Sequence, residues 1–244
     1  SPLVRRIARA YDVDIAGVAG SGLSGRVTKH DIMDFIESGR IAAAAPPAKP
    51  IVRPPAYLPG ERVDVQPLSI VRRKIAEHMV LSRRTSAHVH TVFHVDFSRA
   101  EAIRKEKRAQ YEQDGVKLTY MAFIARAAVD ALRRFKVLNA SLDGDNVVYK
   151  HDINLGIAVA LETGLIVPVI KQAGEKNMLG LSRAILDVAD RARAKQLRPE
   201  EVHGGTFTIT NPGQLGAQFG LPIINQPQVA ILGVGTIEKR AVVV

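Results

Sequence analysis

One stretch constrains this chain more than any other. Ile41-Ala42-Ala43-Ala44-Ala45-Pro46-Pro47-Ala48-Lys49-Pro50 is dominated by alanine and proline and continues through Pro54-Pro55 to Pro59-Gly60. Proline fixes φ, lacks an N–H and restricts the residue before it, so neither a long helix nor a central strand can form here. Such a composition makes an extended, semi-rigid tether. Loops beyond about 12–15 residues are uncommon inside a compact domain, which argues against a surface loop. The 244 residues therefore divide into a small unit 1–40, a linker 41–63 and a larger unit 64–244.

Composition narrows the function. With 46% hydrophobic and 24% charged residues, the chain can build a sizeable core and is not generally disordered. It has no cysteine, which excludes a disulfide scaffold, iron–sulfur and cysteine-zinc sites and a thiol nucleophile, and fits a reducing compartment. No apolar run reaches the ~18 residues of a membrane span. Ser1 to Arg6 lacks the apolar stretch of a secretory signal, and the start without methionine suggests a piece of a longer protein. The net charge of +10 is compatible with nucleic acid, an acidic protein partner or a polyanionic small molecule. Like charges form no long block, and at 5% aromatic content stacking platforms for bases are scarce. Nucleic-acid binding is not expected.

Periodicity gives the elements. In the small unit Leu3, Val4, Ile7, Ala8 and Tyr11 lie at helical spacing. A glycine-rich loop with Gly20, Gly22 and Gly25 follows, and Thr28 with Asp31 marks the start of a second helix. A core this small is marginal, so docking suits the unit better than chemistry. The larger unit opens with an amphipathic helix over about 69–84, with Ile70, Ile75, Met79 and Val80 apolar. His88 to Phe97 alternates like a strand. Ser98 and Glu101 form a capping-box pattern for the next helix, and 118–135 reads as a buried helix ending on Phe135. Leu142 to Val147 is a hairpin turn. Ile153–Leu161 and Leu165–Ile170 read as strands joined at Glu162-Thr163-Gly164. A helix over about 179–195 and strands at 206–210, 229–234 and 241–244 complete the pattern. This mixture predicts an α/β domain with a mixed sheet.

Residues 1–37, with Gly20-Ser21-Gly22-Leu23-Ser24-Gly25-Arg26-Val27-Thr28, resemble the peripheral subunit-binding domain of the acyltransferase (E2) components of 2-oxoacid dehydrogenase complexes. Residues 66–244 resemble the acyltransferase core of the same proteins. That likeness rests on Pro67 to Ala76, His88 to Asp96, Asn154 to Val159, Gly164 to Val169, Thr206 to Asn211 and Ile223 to Gly233, which occur in the right order. The resemblance implies a small all-α domain followed by an α/β domain of the chloramphenicol-acetyltransferase type. It also implies acyl transfer between a lipoyl group and coenzyme A, and residence in the bacterial cytoplasm or the mitochondrial matrix. Acetyl, succinyl and branched-chain acyl groups all stay open.

The implied chemistry is thioester exchange. A base takes the proton of a thiol whose ordinary pKa is about 8.5, and a donor stabilises the oxyanion of the tetrahedral intermediate. By resemblance the donor is Thr210. The base is the histidine of an Asp-His-Arg motif, and none of the seven histidines here lies in that context. The chain is thus expected to be an incomplete acyltransferase, inactive by itself and without the domain that carries the lipoyl group. Without the family, a threonine ending a strand reads only as a good β-former.

Other positions carry a functional and a bland reading side by side. Arg73, Arg83, Arg84 and His88 are candidates for coenzyme A, although an exposed helix face explains the arginines as well. Gly164 and Pro168 are candidates for the lipoamide channel, with a plain bulge as the competing account. By resemblance Arg5 and Arg26, with Arg6 beside them, are candidates for docking dihydrolipoamide dehydrogenase (E3) or the decarboxylase (E1), where a guanidinium fork would grip carboxylates; a solvated helix face is the competing account. His88, His90 and His94 share strand parity, which would suit zinc, but strand histidines are commonly exposed or hydrogen-bonded, and no metal is expected. The resemblance further implies trimers assembled into a larger cage. The competing function is a non-catalytic adaptor that binds E3 and lacks the catalytic histidine.

Overall fold

In the computed structural model the described residues are 2–11, 13–22, 25–37, 56–58, 60–161 and 164–242. Most of the Ala/Pro stretch, Leu23-Ser24, Glu162-Thr163 and Val243-Val244 lie outside them. The chain divides into two compact units, Ser1–Val65 and Gln66–Val244.

The first unit pairs helix α1 (Pro2–Ala10) with helix α2 (Lys29–Glu37). Val4 and Ala8 of α1, Val13, Val18 and Ile32 of α2 make its core. Leu3 and Tyr11, at the same helical spacing, stay exposed. The start of α2 is the capping box that Thr28 and Asp31 predict. Thr28 N–H donates to Asp31 Oδ2 (2.7 Å), and Asp31 N–H donates to Thr28 Oγ1 (3.4 Å). The same carboxylate accepts from the backbone N–H and hydroxyl of Ser21, at 2.9 and 2.7 Å. One side chain thereby ties the glycine loop to the helix. These donors, Ser21 foremost, hold the Asp31 carboxyl well below the usual range. Glycine is required in the loop, because a Cβ on Gly20 would stand 2.3 Å from Gly25 O.

The second unit runs α3 (Ile70–Thr85), α4 (Ser98–Gln113), α5 (Tyr120–Arg134), β1 (Ala140–Asp143), β2 (Asn146–Tyr149), β3 (Leu155–Ile157), β4 (Val159–Leu161), β5 (Gly164–Ile166), β6 (Val169–Ile170), α6 (Met178–Arg193), β7 (Phe207–Thr210) and β8 (Ile231–Gly233). The main sheet has the order β6-β3-β7-β8. β6 is antiparallel to β3, while β3–β7 and β7–β8 are parallel. Parallel neighbours need a crossover, and α6 lies in the one between β3 and β7. Ala122, Ala125, Val129 and Leu132 of α5 and Leu181, Ile185 and Val188 of α6 cover Leu155, Ile157, Phe207 and Ile209. The α/β class with a mixed sheet is as the periodicity predicts.

Several expectations change. The two long strands are each broken, so that β3 pairs with β6 and β4 with β5. The breaks fall at Ala158 and at Val167-Pro168, where proline has no N–H for the ladder and only its carbonyl bonds, accepting from Ile157 N–H at 2.9 Å. His88 to Phe97 forms no strand among the described residues; alternation chooses the two faces of a strand but supplies no neighbour. In α3 the apolar Ile70, Ile75 and Val80 are exposed, and the buried residue is Ser82. The Ser98–Glu101 capping box is absent. Asp96 Oδ1 accepts from Ser98 N–H instead (2.8 Å). Glu101 instead accepts from Arg104 (2.7 Å) and the Tyr120 hydroxyl (2.6 Å), joining α4 to α5. Those bonds, Arg104 first, lower its pKa to about 2. Phe135 ends exposed beyond α5, and Ala241-Val242 is not a strand. No helix among the described residues is long and apolar enough to cross a membrane.

Asp31 gives the small unit an acid sensitivity of known sign. Its folded pKa lies below the ordinary 3.8, so its contribution is present above that value and is lost as pH falls through the folded pKa. In the amide spectrum of the chain, the Ser21 and Thr28 signals should lose their native positions on acidification before those of α5 do. Asp31→Ala should produce the same loss at neutral pH and lower the melting midpoint of this unit by several degrees.

Candidate active site

β7 carries two chemistries on two faces. Successive side chains of a strand alternate, so Phe207 and Ile209 enter the core while Thr206, Thr208 and Thr210 share the opposite face. The Thr206 hydroxyl donates to Asn154 O (3.3 Å) and accepts from Asn154 N–H (3.0 Å). The Thr208 hydroxyl donates to Gln228 Oε1 (2.7 Å). Thr210 differs from both: among the described residues its hydroxyl has no hydrogen-bond partner, and the residue is half-buried. Its ladder partner on β8 is Gly233. On the other side Ala158 follows β3 and donates to Ile209 O (2.9 Å). Small neighbours thus flank a hydroxyl free to bond a reactant.

The loop after Thr210 is locked by glycines whose surroundings leave no room for a Cβ. Gly213 N–H donates to Val234 O (3.2 Å), Val234 N–H to Thr210 O (2.8 Å) and Thr236 N–H to Ala217 O (3.0 Å). A Cβ on Gly213 would lie 2.2 Å from Gly235 C, and one on Gly235 would lie 1.9 Å from Gln218 O. Both contacts are with backbone, which cannot step aside cheaply. Two loops therefore interlock at the end of β7.

A second clamp comes from α3 and the segment behind it. The Ser82 hydroxyl donates to Ile224 O (2.5 Å), His78 Nε2 bonds Asn225 Oδ1 (3.1 Å), and Gln226 Nε2 donates to Ser86 Oγ (2.6 Å). Ile224 N–H donates to His88 Nε2 (3.0 Å), and His88 Nδ1 meets Ser86 O (2.9 Å). A backbone N–H can only donate, so Nε2 is the acceptor and Nδ1 carries the proton. The loop 223–228 is thus held on one side by α3 and His88, and on the other by Thr208.

The sequence-derived candidates fall in three places. Thr210 is at the end of β7. His88, expected beside coenzyme A, spends both ring nitrogens on its own chain. Arg73, Arg83 and Arg84 project from α3, exposed and without side-chain ion pairs or hydrogen bonds among the described residues. Gly164 opens β5 in free space with φ +147°, while Pro168 is buried between β5 and β6. In the first unit Arg5 and Arg6 lie on the side of α1 away from Val4 and Ala8. Arg26 follows the loop, where its carbonyl accepts from Gly22 N–H (3.0 Å); all three arginines are exposed. His90 and His94 are exposed, and among the described residues no group of three metal-ligating side chains converges.

Residues 60–244 match the family pattern described as 2-oxoacid dehydrogenases acyltransferase (catalytic domain), and residues 1–33 match the E3 binding domain. The chain belongs to the 2-oxoacid dehydrogenase acyltransferase family. Its architecture is that of this family, a small helical subunit-binding region followed by an α/β domain of the chloramphenicol-acetyltransferase type. It is 41% identical to the dihydrolipoyllysine-residue acetyltransferase component of the pyruvate dehydrogenase complex of Bacillus subtilis, over 99% of this chain and 57% of that protein. To the succinyltransferase component of the 2-oxoglutarate dehydrogenase complex of the same organism it is 36% identical, over 100% of this chain and 59% of that protein. The chain thus spans about three-fifths of the length of these relatives. Among solved structures, dihydrolipoamide acetyltransferase of Azotobacter vinelandii matches with a TM-score of 0.74 and 30% identity, covering 79% of this chain and 80% of that one. The work on that enzyme concerned one serine, one histidine and one asparagine in its catalytic mechanism.

Sequence reasoning passed over Thr208, Gln228, Ser82 and the loop between Ile223 and Gln228. A signal existed: threonines at every second position of an otherwise apolar strand demand partners once buried. Gly235→Ala in this family member should cost about 1–3 kcal/mol through overpacking against Gln218 O. The check is a thermal melt, paired with hydrogen exchange across 211–222, which should rise.

Proposed function

We propose that the chain is the docking and catalytic portion of a dihydrolipoyllysine-residue acyltransferase. It would move an acyl group between lipoamide and coenzyme A. The observation that carries this reading is Thr210: within the catalytic-domain match, a hydroxyl with no hydrogen-bond partner among the described residues stands at the end of a central strand. When the coenzyme A thiolate adds to the acyl-lipoamide carbonyl, the C–S bond forms and the carbonyl oxygen becomes an oxyanion. The Thr210 hydroxyl donates to that oxygen. Collapse of the intermediate breaks the bond to the lipoyl sulfur, which leaves as a thiolate and takes up a proton. The proton acceptor for the thiol is the histidine that the resemblance places in an Asp-His-Arg segment, a sequence not found among residues 1–244.

Residue chemistry supports a place for each substrate. Exposed Arg73, Arg83 and Arg84 suit the phosphates of coenzyme A, with His88 fixing the loop beside them. Gly164 and Pro168, in the β5–β6 arm, suit the lipoamide side. Ile70, Val71, Ile75 and Leu81 on α3, and Val89, Phe93 and Val95 after it, are exposed large apolar residues. Soluble proteins rarely leave such patches uncovered, which supports self-association as trimers within a larger assembly. The first unit docks E3 or E1 through Arg5, Arg6 and Arg26, and residues 41–63 serve as the tether between it and the core.

Two experiments test the proposal. In the full-length protein, Thr210→Ala should reduce acyl transfer from acyl-coenzyme A to dihydrolipoamide about 10²–10³-fold, while Thr210→Ser retains it. An unchanged rate in Thr210→Ala would remove the oxyanion role. Assays with acetyl, succinyl and branched-chain donors fix the acyl group. In calorimetric titration Arg5→Ala combined with Arg26→Ala should weaken binding to dihydrolipoamide dehydrogenase roughly tenfold to a hundredfold and flatten its salt dependence.

A further inference from the structure

We propose that Gln228 is a positioning residue for Thr210. It acts through Thr208, and it links the end of β7 to the hold of α3 and His88 on the loop 223–228. The inference rests on the acyl-transfer reading above and deepens it.

The geometry is that of a keyed joint. Thr208 and Gln228 are 1% and 4% exposed, and the hydroxyl donates to the amide oxygen at 2.7 Å. A buried hydroxyl facing a buried amide is costly unless the two bond each other, so each fixes the other. Gln228 is itself fixed along its backbone. Its N–H donates to Asn225 O (3.1 Å), and it bridges Ser141 of β1 in antiparallel register. Its amide nitrogen lies 3.1 Å from where a Cβ on Gly205 would stand. Thr208 is just as confined: across the ladder it faces Gly156, where a Cβ would come within 3.0 Å of its hydroxyl and 2.9 Å of Val167 Cγ1. Thr208 and Thr210 sit two residues apart on one face of one short strand, so a shift of the first carries the second. The other end of Gln228's loop carries Ile224, Asn225 and Gln226, which bond Ser82, His88, His78 and Ser86. Displacement of α3 is thereby relayed to the hydroxyl that meets the oxyanion.

The test is made on the full-length protein. Gln228→Leu and Thr208→Val should each lower kcat about ten- to a hundredfold, with KM for coenzyme A within about threefold, since a small misplacement of a reacting group costs rate more than binding. The double variant should be no slower than either single one. Thr208→Ser should restore kcat. Thr206→Val removes a hydroxyl from the same face at the far end of β7, so it should lower the melting temperature and leave kcat unchanged. A merely structural role would make Thr206→Val and Thr208→Val alike. A Gln228→Leu variant with kcat within about twofold of the parent, or Thr206→Val as slow as Thr208→Val, would overturn the proposal. Hydrogen exchange separates it from the reading beneath it. If the parent protein transfers no acyl group from any donor, the acyl-transfer reading falls. Faster exchange over 206–211 in Gln228→Leu, with α6 unaffected, would still show that Gln228 holds this strand end, and unaltered exchange there would overturn that as well.

Discussion

The larger unit depends on the position of β7 between two parallel neighbours. A strand in that place is bonded along both edges, by β3 and by β8, and cannot slide without breaking both ladders. Phe207 and Ile209 then anchor one face beneath α5 and α6. The other face is free to carry polar groups, provided each finds a partner. Two of its three threonines do, and the third ends the strand beside Gly233. Precise placement of a hydroxyl comes from rigidity that the apolar face supplies.

The two units solve opposite problems. The larger one has core to spare and uses it to hold the end of β7 still. Among the described residues the small one has five buried apolar side chains in its core and leans on a carboxylate that serves a loop and a helix together. Its Arg5, Arg6 and Arg26 are exposed and without side-chain partners among the described residues. Basic charge, spread thinly over the sequence, becomes local when the fold presents it on α1, on the loop before α2 and on α3.

The helices were legible wherever one face was buried. α5 and α6 follow from their apolar periodicity, because the core rewards the same side chains that the period selects. The hairpin at Gly144 follows from turn chemistry, and the start of α2 from its capping pair. Where local pattern and tertiary demand diverged, the local reading failed. Glu101 had the right spacing for a cap but was drawn to Arg104, one turn on along α4, and to Tyr120, which the packing of α4 on α5 places beside it. The stretch from His88 to Phe97 alternates as a strand should, yet a strand exists only where an edge is offered. α3 has the period of an amphipathic helix but shows its apolar residues to solvent and buries a serine.

By itself the sequence determined the α/β class and the resemblance to the acyltransferase family; it also raised the expectation of a division at the Ala/Pro stretch and, through the resemblance alone, of a role for Thr210. These are properties of composition, period and motif, which survive in one dimension. Only the tertiary structure decided that, of the three threonines, the Thr210 hydroxyl alone has no partner among the described residues, that Gln228 reaches Thr208, and that His88 spends both nitrogens on its own chain. Those facts join residues up to 136 positions apart, as in Ile224 on His88. Such pairings leave no periodic trace, because a hydrogen bond across a fold is chosen by the packing of everything between its ends.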